Sequence, residues 1–282
     1  MKNKRVLLKR RWWSKIFLFV LFFIMVLAVF FPFYWIIISS LKDQNAIYAA
    51  PPQWFPHSPT IQNYIYSFTQ SKALLYSINS LYLAGMTMAL TVVISVMAVY
   101  PLTRMQFKGK SLFYGLLGST QVFPVVITIV PMYIVYRGIG LYNTYASLIF
   151  TYTATSIPIA IVLLTGYFRD LPREIEEAAT IDGCSRFKML IRVIIPVSGP
   201  GIVATGIYVF LTIWQEYLIA VSLLSDQKKY TLTLGLTLFR TEHSTNWGAL
   251  MATAVIIAAP AIILFFTIEK YFIDSLVGSV KE

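Results

Sequence analysis

Side chains that could carry acid–base or metal chemistry are few in this sequence. The histidines are His57 and His243, and neither has a pair of acids close by; Glu242 beside His243 is the sole hint of a proton-transfer pair. The single cysteine, Cys184, excludes an internal disulfide framework. One cysteine and two histidines do not supply the roughly four ligands of a zinc site. We therefore expect no metal centre and no catalysis on this chain.

One short motif resembles part of a nucleotide site. Gly109-Lys110-Ser111 has the order that ends a phosphate-binding loop. That loop also needs a glycine five residues before Gly109, and Arg104 stands there. Lys110 is therefore interpreted as a surface charge beside a membrane, and we expect any ATP site to lie on another chain.

The composition predicts a membrane protein. Hydrophobic residues make up 57% of the 282 residues and charged residues 12%. Soluble domains carry about 25% charged residues, so an ordinary soluble enzyme and a disordered chain are both excluded. The net charge of +11 would fit a nucleic-acid-binding protein, but the positions of the basic residues favour a membrane topology instead.

Six long apolar runs predict six transmembrane helices in an all-α polytopic fold. Each run exceeds the roughly 20 residues that cross a bilayer, and each is continuously apolar rather than alternating as in a barrel strand. Four prolines, Pro124, Pro131, Pro158 and Pro260, could kink their spans. The runs are 16–38, 73–103, 111–136, 138–168, 193–215 continuing to 225, and 243–268.

The distribution of Lys and Arg predicts the orientation. Seventeen of these residues lie in the termini and in the loops after the second and fourth runs, and six lie in the other loops. Because cytoplasmic loops are rich in basic residues, both termini are expected in the cytoplasm. The predicted organisation is a basic N-terminus (1–15), a membrane domain (16–271) containing a cytoplasmic loop (169–200), and a C-terminal tail (272–282).

Polar residues within the runs are candidates for a substrate path. Glu216 is the only acid there, about nine residues or roughly 13 Å from the outer end of its span. An ionisable group at that depth is costly and is expected to face a cavity or to bond a neighbouring helix; both roles remain open. The other candidates, whose aromatic faces or amides suit sugars, are Asn79, Gln121, Tyr152, Trp214 and Gln215.

Two outer loops could dock an external partner. The first, about 42–72, carries four prolines and is predicted to be stiff and extended; the other, about 226–246, is polar. A plain surface loop is the alternative for each.

The cytoplasmic loop has a pattern that predicts two short helices. Pro172 and the acids after it suit a helix N-terminus, and Gly183 suits a helix end. Ser185 can cap a second helix, on which Phe187, Leu190, Ile191 and Ile194 would form an apolar stripe. Ala178 and Ala179 leave a smooth patch beside Glu177, so another surface can approach closely.

This loop resembles the EAA motif of ABC importer permeases. The matching residues are Glu177-Ala178-Ala179, Asp182-Gly183 and Ile194-Ile195-Pro196. Trp214-Gln215-Glu216-Tyr217 resembles the family's Trp-Asn-Glu-Phe, with Gln in place of Asn. The likeness covers roughly residues 15–282 and is greatest to the smaller permease subunit of maltose-type sugar importers, in which an Ala often stands at the position of Cys184.

The resemblance implies a type I ABC importer permease fold in a bacterial or archaeal cytoplasmic membrane. It implies a second, different permease subunit, two copies of a cytoplasmic ATPase that bind ATP and Mg²⁺, an extracytoplasmic sugar-binding protein and a sugar substrate, with no nucleic acid. By position, Glu177, Ala178, Ala179, Asp182 and Gly183 would couple the chain to the ATPase.

Three alternatives remain open. The substrate of such an importer could instead be glycerol phosphate, a polyamine or an acidic oligosaccharide, which a strongly charged cavity would favour. A membrane enzyme acting on lipid or polyprenyl sugar would need paired acids or histidines near an interface. A self-contained secondary transporter would leave the EAA-like loop unexplained.

Overall fold

A computed structural model describes residues 2–240 and 244–278, and side chains from Lys15 to Phe266 within these ranges. The described backbone is helical and contains no named strand; Arg240 and Thr245 form one isolated antiparallel bridge. Glu242, His243 and residues 279–282 lie outside the described residues. The α-helices are α1 (Lys2–Ser40), α2 (Gln44–Ile47), α3 (Gln62–Thr69), α4 (Ala73–Arg104), α5 (Lys110–Val122), α6 (Val125–Gly138), α7 (Tyr145–Asp170), α8 (Glu174–Ile181), α9 (Arg186–Met189), α10 (Ile195–Val197), α11 (Gly199–Trp214), α12 (Leu218–Leu223), α13 (Leu232–Gly235) and α14 (Trp247–Gly278).

Four of the predicted spans are single continuous helices. Within the described residues, α1, α4, α7 and α14 are each long and apolar enough to cross a membrane. The other two predicted spans are bent pairs, which brings the number of candidate spans to six when each pair counts as one. Among the four flagged prolines, Pro124 lies at a break, whereas Pro131, Pro158 and Pro260 lie inside helices.

The third predicted span, 111–136, is not one helix. Helices α5 and α6 meet at 95° across Phe123 and Pro124. Both residues have extended backbone. For Phe123 this follows from its position before Pro124, because a residue that precedes proline is disfavoured in the helical region. The break leaves Gln121 near the end of α5.

The fourth predicted span begins later than expected. Residues before Tyr145 form a turn rather than helix, with positive φ at Gly140 (74°) and Asn143 (59°). Thr144 then caps α7 by accepting a hydrogen bond from the Ser147 N–H. The apolar run alone did not reveal this turn.

The chain divides into two compact units. One unit comprises Lys72–Thr237 and Ile257–Glu282, and its centre is the packing of α4 against α7 and α11. Two clusters of buried side chains fill it, one around Leu83, Leu148 and Val209 and the other around Val99, Leu164 and Phe168.

The other unit comprises Met1–Ser71 and Leu238–Ile256. The hydroxyl of Ser67 in α3 donates to the Ala249 carbonyl (3.2 Å) and lies 3.1 Å from the Thr253 hydroxyl. These bonds join α3 to the first part of α14.

Candidate functional site

The loop at residues 169–200 folds as two short helices, as its pattern predicts. Helix α8 begins after Arg173 with three acids in its first turn, where they favour the positive end of the helix. Gly183 ends it with φ of 74°, and the Cys184 N–H donates to the Ala179 carbonyl across that turn (3.0 Å). Ser185 caps α9 by accepting from the Lys188 N–H.

The predicted apolar stripe on the second helix is only half buried. Leu190 and Ile194 are buried, whereas Phe187 and Ile191 are exposed. The helix passes through a π-helical segment, Leu190–Ile194, and the backbone turns by 78° before α11. The wider π-helical turn alters the spacing on which the stripe was predicted.

Helix α8 is fastened to the body of its unit by one face. Ala179 is buried against the cluster that contains Phe168 and Leu190. Arg104, at the end of α4, places its Nε 2.5 Å from Oε1 of Glu176, and its Nη2 donates to the Leu171 carbonyl (3.0 Å). Both charged side chains are mostly buried, so removal of either one would leave the other charge without its partner.

The opposite face of α8 is open. Glu177, Ala178, Asp182 and Gly183 are exposed, and Ile181 is 87% exposed. This face is therefore accessible to another protein. Of the predicted coupling residues, Ala179 alone points inward.

The second predicted site centres on Glu216, which lies at a break in the fifth predicted span. Helix α11 ends at Trp214 and α12 begins at Leu218. The two oxygens of the Glu216 carboxylate accept from the Ile219 N–H (2.7 Å), the Ala220 N–H (3.1 Å) and the Tyr152 hydroxyl (2.6 Å). The expected continuous helix is therefore wrong at this point, because the carboxylate satisfies backbone donors that start a second helix.

A cavity of about 370 Å³ lies beside this carboxylate. It brings together three of the predicted substrate-path residues, Gln121, Tyr152 and Glu216. Tyr152 is 1% exposed, whereas Gln121 is exposed. Four further polar residues in the lining were not singled out from the sequence: Thr155, Ser156, Tyr208 and Thr212.

The spacing of these residues in the sequence could have indicated that they line one cavity. Tyr208, Thr212 and Glu216 are separated by four residues each, as are Tyr152 and Ser156. Side chains four residues apart share a helix face. A search for polar residues at that spacing would have found this lining, whereas hydropathy alone did not.

The remaining three predicted residues do not line this cavity. Asn79 donates to the carbonyls of Lys228 (3.0 Å) and Tyr230 (2.9 Å), so it fastens the segment that contains these two residues to α4. Trp214 is buried and donates to the Ile257 carbonyl (2.9 Å). Gln215 is exposed and donates to the Leu211 carbonyl of its own helix (3.2 Å).

The loop at about 42–72 is held by a buried lysine. Lys42 is 2% exposed, donates to the Gln53 carbonyl and lies over the Trp35 ring, 4.6 Å from its centroid. Burial lowers the pKa of this amine. The loop is not wholly extended, because α2 and α3 lie within it. Trp54 and Phe55 remain exposed.

Together, the fold and these sites define a multi-pass helical membrane protein with a structured loop at residues 169–200 and a cavity beside a helix break. Over residues 91–277 the chain matches the family described as binding-protein-dependent transport system inner membrane component, and it belongs to that family.

Two relatives and one solved structure extend this match. The chain is 35% identical to the sulfoquinovosyl glycerol transport system permease protein SmoH of Agrobacterium fabrum, over 89% of this chain and 88% of the relative. It is 30% identical to the trehalose/maltose transport system permease protein MalG of Thermococcus litoralis, over 92% and 94%. A bacterial ABC transporter involved in the import of the acidic polysaccharide alginate has the same fold, with a TM-score of 0.79 over 90% of this chain and 94% of that chain at 20% identity.

These matches confirm several predictions. The resemblance to ABC importer permeases of the carbohydrate branch is confirmed, and so is the all-α polytopic fold. The relatives are transporter permeases, which confirms that the chain is not an enzyme. The family consists of inner membrane components, in agreement with the predicted membrane location. The orientation of the termini and the roles of individual residues stay predictions.

Proposed function

We propose that this chain is a permease subunit of an ATP-driven importer for a sugar or oligosaccharide, coupled to a separate ATPase through residues 169–200. The observation that carries the proposal is helix α8, which is fastened on one face and open on the other. The partners would be a second, different permease subunit, two copies of a cytoplasmic ABC ATPase and an extracytoplasmic sugar-binding protein. ATP and Mg²⁺ would bind the ATPase, and this chain would hold no cofactor.

The fastening of α8 supports its role in coupling. The Arg104–Glu176 pair and the buried Ala179 join it to the end of α4 and to the core. A force applied to the open face would therefore move the cytoplasmic end of α4 rather than bend a loose loop. Glu177, Ala178, Asp182 and Gly183 would form the contact with the ATPase, and Ala179 would hold the helix in place.

The sugar assignment draws on the relatives and on the chemistry of the cavity. SmoH and MalG are named for transport of carbohydrate compounds. The hydroxyl and amide groups of Tyr208, Thr212 and Gln121 are of the kind that bond sugar hydroxyls. We infer that this cavity is the part of the substrate path that this subunit contributes.

The orientation follows from the basic residues. Both termini and the α8 loop would lie in the cytoplasm of a bacterial or archaeal cell, next to the ATPase. The first outer loop and the segment from Asp226 to Asn246 would face the binding protein.

A charge reversal on the open face of α8 tests the coupling. Glu177→Lys should abolish binding-protein-dependent uptake while the chain remains in the membrane, since it opposes the contact with the ATPase. Asp170→Lys is the matched control: it makes the same charge change on an exposed acid at the end of α7, outside helix α8. Wild-type uptake by Glu177→Lys at equal expression, or an equal loss in both variants, would refute the assignment.

A further inference from the structure

We infer that Trp54 and Phe55 of the first outer loop insert into the outer leaflet of the membrane and bind phospholipid there. The rest of the loop stays outside the membrane, toward the binding protein. The inference goes beyond the proposed transport function and takes from it only the side of the membrane. The two residues lie outside residues 91–277, over which the chain matches its family. The contacts that carry the inference lie within one of the two compact units.

The loop folds back along the outer end of α1. The Trp54 ring packs against the rings of Phe31 and Trp35, with centroids 6.2 Å and 5.8 Å away. Trp35 and Phe31 lie about one and a half and two and a half turns before Ser40, where α1 ends. At about 1.5 Å per residue, the Trp54 ring therefore lies about 8–13 Å back from the end of the helix.

This depth is that of the membrane interface. The part of α1 that could cross a membrane, Lys15–Ser40, has 26 residues and is therefore about 39 Å long. A bilayer is about 40–45 Å thick with its headgroups, and its hydrocarbon core is about 30 Å thick. A point about 8–13 Å below the outer end of α1 therefore lies near the level at which the headgroups meet the acyl chains. Trp is enriched at this level, because its ring is apolar and its N–H is polar.

Two hydrogen bonds hold this part of the loop on α1. The Tyr34 hydroxyl donates to the Trp54 carbonyl, and the buried amine of Lys42 donates to the Gln53 carbonyl. The Phe55 ring also packs edge-on against the Tyr34 ring, with the centroids 6.2 Å apart. The backbone that presents the two aromatic side chains is therefore ordered before lipid binds. Insertion then costs little conformational entropy.

The exposed side of this aromatic pair matches lipid. Trp54 and Phe55 are 58% and 70% exposed, and the adjacent Phe31 is 48% exposed. These rings continue the apolar surface of α1, whose side chains over residues 17–33 are mostly exposed. No Lys, Arg, Asp or Glu occurs in residues 44–71. A segment of that length in water would carry several, since such residues make up about 25% of soluble chains.

Spin-label accessibility measures the depth of the pair directly. Phe55→Cys in a Cys184→Ala background would carry a nitroxide, in lipid discs and with the chains that accompany the protein in purification. Sugar, nucleotide and binding protein would be left out. The control label is Asn45→Cys, which is exposed in α2 beside the charged Asp43. The ratio of collisions with dissolved oxygen to collisions with a water-soluble nickel chelate should be severalfold higher at Phe55→Cys than at the control.

The same label distinguishes lipid from a protein partner. A second permease seated on the pair would exclude oxygen and the nickel chelate alike. A docking surface for the binding protein would lie in water, and both collision rates would fall when sugar-loaded binding protein is added. Either result, or equal collision ratios at Phe55→Cys and Asn45→Cys, would overturn the inference. The measurement needs no ATPase, so it stays readable if the coupling test with Glu177→Lys fails.

Substitutions measure what the pair contributes to stability. Phe55→Asp places a charge where headgroups meet acyl chains and should lower the melting temperature in lipid discs. Phe55→Trp and Phe55→Leu keep an apolar side chain and should change it much less. His57→Asp, exposed in the same loop, is the matched control and should also have little effect. If lost packing against Tyr34 were the cause, Phe55→Leu would lower the melting temperature as much as Phe55→Asp, and that result would overturn the inference.

Discussion

The turn at Gly183 offers a quantitative test of how the coupling loop is built. Its φ of 74° lies in the left-handed region, and a β-carbon at this position would meet nothing within 4 Å. A side chain there would therefore be strained by the backbone alone and not by a clash. That strain is about 1–2 kcal/mol for an ordinary L-residue and greater for a β-branched one.

The expected effect follows from that strain. Gly183→Val should destabilise the turn by about 2 kcal/mol, which corresponds to roughly a thirtyfold loss of the loop conformation that binds the ATPase. Gly183→Asn should weaken binding far less, because asparagine tolerates the left-handed region. Two controls should be near neutral: Gly199→Ala, where a β-carbon also meets nothing and φ is not positive, and Cys184→Ala in the same loop.

The assay measures the affinity of the purified permease complex for the ATPase in lipid discs, together with the yield of co-purified ATPase. The order of affinity should be wild type, then Gly183→Asn, then Gly183→Val, with both controls near wild type. Equal affinity for Gly183→Val and Cys184→Ala would refute the role of this turn. An equally large loss in Gly183→Asn would show that side-chain volume matters and not backbone conformation.

Two further predictions concern buried polar contacts. Arg104→Met leaves the mostly buried Glu176 without its partner and should destabilise the attachment of α8 by about 3 kcal/mol. The loss should be seen as lower sugar-stimulated ATP hydrolysis. Arg173→Met, exposed in the same loop, is the control, and equal activity of the two variants would contradict the role of the Arg104–Glu176 pair. Asn79→Ala leaves two loop carbonyls without their donor and should lower the free energy of unfolding by about 1–3 kcal/mol. The melting temperature should fall, and the order of preferred sugars should not change. A changed order would assign Asn79 to the substrate path.

The sequence was sufficient for the features that depend on local chemistry. Long apolar runs predicted the spans α1, α4, α7 and α14. In lipid the backbone groups have no water to bond, and a helix satisfies all of them within one segment. Gly183 and Ser185 predicted the end of α8 and the start of α9, since each acts on neighbouring backbone groups. The resemblance in the same loop identified the family.

The breaks and the grouping of site residues depended on contacts across the chain. The predicted span continued past Gln215, but the helix breaks there. The Glu216 carboxylate accepts from an N–H group at the start of α12 and from the hydroxyl of Tyr152 in α7. Hydropathy does not register such a partner. Asn79 and Gln121 were indistinguishable as intramembrane amides, yet one bonds a loop and the other lines a cavity.

The most direct test of the central claim is ATP hydrolysis by the reconstituted complex. This chain would be purified from its natural host by a tag and placed in lipid discs with whatever chains accompany it. A second permease and an ABC ATPase should co-purify, and ATP hydrolysis should rise only when the binding protein and a sugar are both present. A chain that purifies without an ATPase, or a complex whose hydrolysis no sugar-loaded binding protein stimulates, would contradict the account.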